Sequence, residues 1–532
     1  MFCCPAYFCA LPKKRSDPAM DNRRTTTRRR RFAFAGVVAV LSLGMEAAVQ
    51  PSKLLVCHLD FNSIQMNTGA VVRTLDHVAA KGYNAVLWEI EDKVRFACAP
   101  EIAAPDAFSR EEFRSILRHA ERLGLEPIPL LQTFGHGEYV LDVDGYRELR
   151  EDPTRKDCYC PSNPKTVAFQ KKLLREYLEV FGPRMRRLHL GGDEAEAFGT
   201  CAACREKDKA GLYIGHLETL AAELRAKGIR PCVWHDMLQR FDRSGGAFAR
   251  LPSDFSIWYW EYFYTGCEEE PRGWAKGAET ALAAERKKGR EIVLAASTQC
   301  YIDDPFLTRT REHRANLAGI AAVARKGEFS GLCVTAWSCH RGLKELQYPL
   351  FDFAAKRFLA PSAASEDDWT AIVRRDYGAV SVETLDELTA WGPEFYRIDG
   401  RSWSDYKDGA VMPRGAALAV YGKDSDKARQ LAARARDCAT RVRAALLRMM
   451  VRSDTRPLAH LAIEAGELKL AYLDMLAKGL EGVATTNAPV ERATRFYRRE
   501  QSPHSAQQTV EILYNGYLDG QISRTKSSKS PE

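Results

Sequence analysis

The sequence predicts an α/β protein whose main domain is an eight-stranded (β/α)8 barrel of the TIM type, followed by a smaller all-α C-terminal domain. From Lys53 onward, short apolar, β-rich runs alternate with longer stretches at helical spacing, which is the rhythm of parallel strands joined by crossover helices. Eight such runs can be counted before about Pro361, and after it the strand signals stop. Eight strand–helix units are the number that closes a barrel of this type.

The candidate strands and helices follow each other in regular order. The strands are expected at residues 54–61, 84–90, 127–133, 187–190, 231–235, 255–261, 291–297 and 331–337, and helices at 111–123, 167–181, 214–227, 280–288 and 311–326. A doubly wound open sheet is the alternative, and it is disfavoured because no G-x-G-x-x-G follows the first strand. In a barrel, the active site is expected at the C-terminal ends of the strands.

The part of the chain beyond the barrel has a helical pattern. Residues 426–451 and 458–480 carry apolar side chains at helical spacing, such as Leu461, Ala465 and Leu468. We therefore predict four segments: a signal or targeting segment over residues 1–50, the catalytic barrel over 51–361, a helical domain over 362–500 and a polar tail over 501–532.

The first fifty residues are basic and follow the order of an export signal. The chain carries a net charge of +8, but residues 1–50 alone hold nine Lys/Arg against three acidic residues, so no nucleic-acid partner is expected. Arg28 to Arg31 precede an apolar run at 32–43, which is too short to span a bilayer and resembles a twin-arginine signal. We expect export to the periplasm or cell exterior and no stable membrane span in the mature protein. A membrane anchor, an uncleaved tail and a cytoplasmic location are the alternatives.

Four of the fifteen cysteines form two close pairs. These are Cys158-x-Cys160 and Cys201-x-x-Cys204. One C-x-C with one C-x-x-C is a weak pattern, compatible with a four-thiolate zinc site, with disulfides or with free thiols. The sequence thus offers a weak zinc candidate and predicts no other metal and no cofactor.

The sharpest chemical feature ends the fourth predicted strand, where residues 189–194 read His-Leu-Gly-Gly-Asp-Glu. Adjacent carboxylates at the catalytic rim of a barrel suit the cleavage of a glycosidic bond if one is protonated and the other ionised. An Asp-Glu pair can equally cap the next helix. Asp193 and Glu194 therefore need support from their surroundings.

This segment resembles the H-x-G-G-D-E signature of family 20 glycoside hydrolases, the β-N-acetylhexosaminidases, and is most similar to the hexosaminidase D type. The likeness runs from Leu54 to about Pro361. Further elements match at strand ends in the same order: Gln-Thr-Phe-Gly-His at 132–136, Trp-His-Asp at 234–236, Trp258 or Trp260, Tyr-Ile-Asp at 301–303, and Trp337 followed by Ser338.

The resemblance implies an exo-acting β-N-acetylhexosaminidase with a substrate-assisted retaining mechanism, acting on glycans or glycosides that contain N-acetylhexosamine. The 2-acetamido oxygen of the sugar would attack the anomeric carbon while Glu194 protonates the leaving oxygen and later activates water. Asp193 would orient the acetamido group, Tyr301 would donate to its oxygen, and His136 would tune the protonation of the carboxylates. An ionised Asp193 in a partly desolvated pocket is expected to raise the pKa of Glu194.

Further side chains at the strand ends are expected to bind the sugar. Indole faces stack on the apolar faces of pyranose rings, although any single tryptophan can instead belong to the core. The expected substrate-binding set is Glu91, Trp234, Asp236, Trp258, Trp260, Asp303 and Trp337. Glu91 is chosen over Glu89 and Asp92 for the place of the family's aspartate after strand two.

Two departures from the family pattern concern the outer sugar hydroxyls. No arginine follows strand one, where residues 59–63 read Leu-Asp-Phe-Asn-Ser, and Cys339 stands where the family commonly has a carboxylate. We therefore expect relaxed discrimination between gluco and galacto sugars.

Two rival functions remain at this point. A non-catalytic carbohydrate-binding barrel would keep the tryptophans without needing both Asp193 and Glu194. A metal-dependent hydrolase could recruit the histidines at the strand ends, but it leaves the Gly-Gly-Asp-Glu segment without a purpose.

Overall fold

The structure is a computed structural model that describes residues 53–242, 246–262, 273–300, 303–338, 341–360, 367–390, 426–453, 455–483 and 488–515. The predicted targeting segment, Tyr301 and Cys339 lie outside the described residues. Within those ranges, no helix combines the length and the apolar character needed to cross a membrane.

Eight parallel strands form a closed barrel in chain order. They are β1 Leu54–Asp60, β2 Ala85–Glu89, β3 Glu126–Leu130, β4 Arg187–His189, β5 Arg230–Trp234, β6 Ser256–Trp260, β7 Ile292–Gln299 and β8 Gly331–Ala336. The sheet closes where β1 pairs in parallel with β8, with Val56 opposite Cys333. The predicted barrel is confirmed, and every predicted strand overlaps an observed one.

Helices connect the strands on the outside of the barrel. In chain order they are α1 Thr68–Ala80, α2 Arg110–Arg122, α3 Glu138–Leu141, α4 Pro164–Phe181, α5 Lys209–Arg225, α6 Asp236–Phe241, α7 Gly246–Arg250, α8 Gly273–Lys287, α9 Thr310–Lys326 and α10 Tyr348–Leu359. Local sequence explains where they begin. Asn67 accepts a hydrogen bond from the first turn of α1, and Ser109 and Glu112 form a reciprocal capping box on α2.

The strands are apolar along most of their length because they are buried on both faces, one toward the barrel interior and one toward the helices. Alternate residues of β1 face opposite sides: Val56 packs inside the barrel with Leu87 and Ile128, whereas Leu55 and Leu59 pack between sheet and helices. All seven residues of β1 are buried. A strand buried on both faces loses the polar alternation of a half-exposed strand.

Six helices follow the barrel in the described residues. They are α11 Asp367–Tyr377, α12 Val382–Thr389, α13 Asp426–Arg452, α14 Pro457–Leu480, α15 Ala488–Tyr497 and α16 Pro503–Asn515. The expectation of a polar tail from residue 501 is corrected, because α16 occupies its first part. Ala506, Val510 and Leu513 are buried along one face of that helix, a spacing that packs a short helix onto the body of the protein.

Residues 500–505 bind the end of the barrel at which the strands finish. The backbone N–H of Gln65, in the loop after β1, donates to Oγ of Ser505 at 2.7 Å, and its carbonyl accepts from the Ser502 N–H at 2.8 Å. The Glu500 carboxylate accepts from the N–H of Lys344, after β8, at 2.5 Å. The end of the helical region therefore holds the loops that follow the first and last strands.

Candidate active site

A tight glycine turn carries the two carboxylates into the barrel mouth. Gly191 and Gly192 have φ values of 59° and 93°. A residue with a Cβ would be strained at these φ values. A Cβ on Gly192 would also lie 2.2 Å from the hydroxyl oxygen of Tyr213, which donates to the Gly192 carbonyl at 2.9 Å. The Gly-Gly pair thus lets the chain turn sharply enough to present Asp193 and Glu194 at the end of β4.

His136 lies between the two carboxylates. Its Nε2 is 3.4 Å from Oδ2 of Asp193 and 3.6 Å from Oε2 of Glu194. The side chain of Asp193 is 6% exposed, and that of Glu194 is 57% exposed. The loop after β3 and the turn after β4 thus bring together three of the four predicted catalytic residues; the fourth, Tyr301, lies outside the described residues.

The three groups are driven to different protonation states. Burial disfavours the His136 cation, but the charges of Asp193 and Glu194 outweigh it and raise the pKa of His136 well above its usual value. Burial raises the pKa of Asp193, and the nearby His136 outweighs burial and lowers it. Desolvation raises the pKa of Glu194, with His136 opposing and Asp193 adding to the rise. One carboxylate is held ionised beside another that retains its proton more readily, which is the division that acid catalysis of glycoside cleavage requires.

Asp236 supports the backbone of the candidate acid. Its Oδ2 accepts a hydrogen bond from the Glu194 N–H at 2.9 Å, and Glu194 has a φ of 43°. Burial, with the charge of Asp193, raises the pKa of Asp236 to about 8. This contact gives Asp236, expected from sequence among the sugar-binding residues, a role in positioning Glu194.

The carboxylate at the end of β2 that faces the centre is Glu89. Its Oε2 lies 3.1 Å from Nε2 of His58, and its Oε1 accepts from the Gln132 amide at 2.8 Å. Burial raises the pKa of Glu89 well above its usual value, and the charges of Asp60 and Asp193 add to that rise. Glu89 therefore belongs electrostatically to the same site as Asp193.

Glu91, the residue favoured from sequence, lies in the loop two residues beyond the end of β2. Its Oε1 accepts from the side-chain amide of Asn62 at 2.8 Å. Burial raises its pKa well above the usual value, and the nearby charges that act on it include Glu89, Asp92 and Lys93. Its contacts join the loops after β1 and β2.

The four candidate tryptophans divide into two pairs. Trp234 and Trp258 are fully buried inside the barrel, and Trp260 and Trp337 pack against that interior while partly exposed. The indole Nε1 of Trp337 donates to the hydroxyl of Tyr262 at 2.8 Å, and Tyr262 stacks on Trp260 at 5.4 Å between ring centroids. Trp260, Tyr262 and Trp337 thus form an aromatic wall. Tyr262 was not singled out from sequence, although it continues the alternation of aromatic residues at the end of β6.

Asp303 is fully buried in the loop after β7. Its oxygens accept from the Cys300 N–H at 2.7 Å and the Arg309 N–H at 2.8 Å, and Oδ2 lies 2.7 Å from Nε2 of His313. These contacts hold the start of the loop that precedes α9.

The four cysteines of the weak zinc candidate do not all meet. Cys160, Cys201 and Cys204 converge, and Glu151 joins them. The fourth cysteine, Cys158, lies outside this group, and its sulfur donates to the carbonyl of Tyr159. The four-thiolate set is therefore corrected to three thiols and one carboxylate, because Cys158 packs into the hydrophobic core while Cys160 faces the other two sulfurs.

The barrel matches the sequence model of a known protein family. The model of "Glycosyl hydrolase family 20, catalytic domain" matches residues 57–337. Hexosaminidase D of Homo sapiens is 29% identical over 221 residues, which is 40% of this chain and 45% of that protein. Hexosaminidase D of Bos taurus is 28% identical over 214 residues, 38% of this chain and 62% of that protein. The chain thus spans less than two thirds of the length of either relative.

Among solved structures, the X-ray structure of the chitobiase of Flavobacterium johnsoniae has 17% sequence identity and a TM-score of 0.49, covering 86% of this chain and 78% of that one. The family match over residues 57–337 extends from within β1 to just beyond β8 and includes the turn with Asp193 and Glu194. The chain therefore belongs to glycosyl hydrolase family 20.

Proposed function

We propose that the protein is a β-N-acetylhexosaminidase that removes terminal β-linked N-acetylglucosamine or N-acetylgalactosamine from glycans or glycosides. The observation that carries the proposal is the placement of His136 within 3.4 Å of Asp193 and 3.6 Å of Glu194 at the end of β4. The two relatives named Hexosaminidase D support the same activity.

In the first step, the oxygen of the substrate's own acetamido group attacks the anomeric carbon. The bond to the leaving oxygen breaks as the proton of Glu194 moves to that oxygen, which leaves Glu194 ionised. Positive charge develops on the resulting five-membered ring. The ionised Asp193 accepts a hydrogen bond from the acetamido N–H. Its fixed negative charge stabilises the positive charge that develops on the ring.

In the second step, water attacks the anomeric carbon from the side that the leaving group vacated. The Glu194 carboxylate takes a proton from the water, the ring opens to restore the acetamido group, and the β configuration is retained. Between the steps the site holds two ionised carboxylates. The raised pKa of His136 keeps a cation beside them throughout the cycle.

Two parts of this proposal fall outside the described residues. Tyr301 would donate its hydroxyl to the acetamido oxygen and so orient the nucleophile. The segment at residues 1–50 would direct the enzyme to the periplasm or the cell exterior, where glycans are accessible.

The test is hydrolysis of three aryl glycosides: the β-N-acetylglucosaminide, the β-N-acetylgalactosaminide and the plain β-glucoside. We expect turnover of the acetamido sugars and none of the glucoside, because the glucoside lacks the nucleophile. In the same assay, Glu194→Gln should turn over the acetamido sugars more slowly than the unaltered protein. Glu196→Gln is its matched control, since Glu196 lies two residues away and pairs with Arg240 on the surface. Absence of turnover on both acetamido sugars by the unaltered protein would refute the proposal, and equal turnover of the glucoside would refute the mechanism.

A further inference from the structure

Three cysteine sulfurs and a carboxylate converge between the segments that follow β3 and β4. Sγ of Cys160 lies 3.7 Å from Sγ of Cys201 and 3.8 Å from Sγ of Cys204. Oε2 of Glu151 lies 3.5 Å from the Cys204 sulfur. All four ligand atoms lie within 4.8 Å of one another.

The spacing of the sulfurs matches the edges of a metal-centred tetrahedron. A Zn–S bond of about 2.3 Å gives a tetrahedral edge of about 3.8 Å between two sulfurs. The sulfurs of a disulfide would instead lie about 2.05 Å apart. Both of the separations from Cys160 thus have the length expected for two thiolates on one zinc ion.

The charge of Glu151 is a second, independent observation. The residue is 1% exposed, and among the described residues no Lys, Arg or His lies within ion-pair distance of its carboxylate. Oε1 is held by the Cys201 N–H at 3.0 Å, which turns Oε2 toward the sulfurs. A buried carboxylate without a counter-charge is costly, and a divalent cation among these groups would neutralise it.

The surroundings supply hydrogen bonds for a ligating sulfur. Oγ of Ser162 lies 3.0 Å from Sγ of Cys204, and the Lys207 ammonium donates to the same Oγ at 2.9 Å. The Ser162 hydroxyl can therefore donate to a thiolate, with a cation behind it. Outer donors of this kind orient and stabilise metal ligands.

We propose that Cys160, Cys201, Cys204 and Glu151 bind one structural Zn²⁺ ion. Thiolates with one carboxylate oxygen are ligands that zinc accepts, and four protein ligands close the tetrahedron so that no position remains for water or substrate. Binding displaces the three thiol protons to solvent.

The ion would join two loops that carry catalytic residues. Glu151 and Cys160 lie between β3 and α4, in the same connection as His136 and the short helix α3. Cys201 and Cys204 lie between β4 and α5, in the loop that contains Glu194. The zinc would thus cross-link the two loops whose separation sets the distances within the catalytic group.

The test measures metal in the full-length protein, so its outcome is independent of the proposed enzymatic activity. We expect about one zinc per chain in the unaltered protein and in Cys158→Ser, and below about 0.1 in the double variant Cys201→Ser/Cys204→Ser. Cys158→Ser is the matched control, because Cys158 lies in the same loop outside the ligand group. An unaltered protein that contains no zinc and takes up none when supplied with it would overturn the proposal, as would a double variant that keeps its zinc.

A second measurement on the unaltered protein covers the case in which the double variant does not fold. After exchange of zinc for Co²⁺, we expect the intense visible absorption of tetrahedral cobalt and the near-ultraviolet charge-transfer bands of thiolate ligands. Peptide mapping of the native protein after thiol alkylation provides the opposing result. A disulfide from Cys160 to Cys201 or Cys204 would overturn the proposal, as would the weak absorption of six-coordinate cobalt.

Discussion

Nε2 of His136 lies 3.4 Å from Oδ2 of Asp193, and the backbones that carry the two residues touch directly. A Cβ on Gly135 would lie 2.2 Å from the carbonyl oxygen of Asp193. The histidine loop can therefore approach the β4 turn this closely only with glycine at position 135. The separation of the imidazole and the carboxylate is set by main-chain packing as well as by their attraction.

Replacement of the candidate acid should affect substrates according to their leaving groups. We expect Glu194→Gln to lower kcat by roughly 10²- to 10⁴-fold on substrates with poor leaving groups, since this is the usual contribution of general acid catalysis. Activated aryl glycosides should lose less, because their leaving groups depart without a proton. Steady-state kinetics on both classes, with Glu196→Gln as the control, measure the difference. Equal losses on both classes would exclude Glu194 as the acid.

Removal of the His136 charge should move both limbs of the pH profile upward. His136 lowers the pKa of Asp193 and opposes the rise in that of Glu194, so both values increase when the cation is lost. Activity needs Asp193 ionised and Glu194 protonated, so in His136→Gln the acid limb and the alkaline limb of kcat/KM should both shift to higher pH. His119→Gln, at a surface pair with Asp76, is the control. Limbs that stay in place would show that His136 does not act on these carboxylates.

The identity of the nucleophile can be tested by changing the substrate. Successive fluorination of the acetamido methyl group withdraws electrons from the attacking oxygen, and we expect kcat to fall with each fluorine. A thiazoline that mimics the bicyclic intermediate should bind much more tightly than the product. Kinetics that ignore fluorination, together with a glycosyl ester isolated on the protein, would indicate a protein nucleophile.

The two kinds of tryptophan should separate in mutagenesis. Trp258 is fully buried inside the barrel, so Trp258→Ala should lower the free energy of unfolding by about 3–5 kcal/mol. Trp337 is partly exposed in the aromatic wall, so Trp337→Ala should mainly lower kcat/KM with a smaller loss of stability. Thermal unfolding and steady-state kinetics on both variants make the comparison. A Trp337→Ala variant with unchanged kcat/KM would remove Trp337 from the sugar site.

We predict that the enzyme discriminates weakly between gluco and galacto sugars, which differ in an outer hydroxyl. With cysteine at position 339 and no arginine in residues 59–63, a charged hydrogen bond worth about 1.5–3 kcal/mol is missing. We expect kcat/KM for the gluco and galacto substrates to agree within roughly tenfold, or about 1.4 kcal/mol. Side-by-side assays measure the ratio. A preference above about a hundredfold for either epimer would mean that another residue reads that hydroxyl.

The barrel and the centre of its site could be predicted because both leave local signals. A strand such as β1, buried on both faces, produces a continuous apolar run, and the Gly-Gly-Asp-Glu segment brings its carboxylates with its own turn. His136 follows from the short segment after strand three.

The residues that were harder to predict depend on distant parts of the chain. Two-residue alternation would place Glu89 and Glu91 on one face, but β2 ends at Glu89 and Glu91 turns to a φ of 38°. Glu151 gives no local signal at all, because its neighbours in the cysteine group lie up to 53 residues away. In each case the deciding contact is formed between loops, where sequence spacing carries little information.

The contacts of residues 500–505 constrain the order in which parts of the protein can fold. Gln65 is translated 440 residues before its partner Ser505. The strands can pair as they emerge, but the loops after β1 and β8 receive these hydrogen bonds only after residues 500–505 have been translated. Contacts of such long sequence separation form late and slowly. The mouth of the barrel is thus completed after the barrel wall itself.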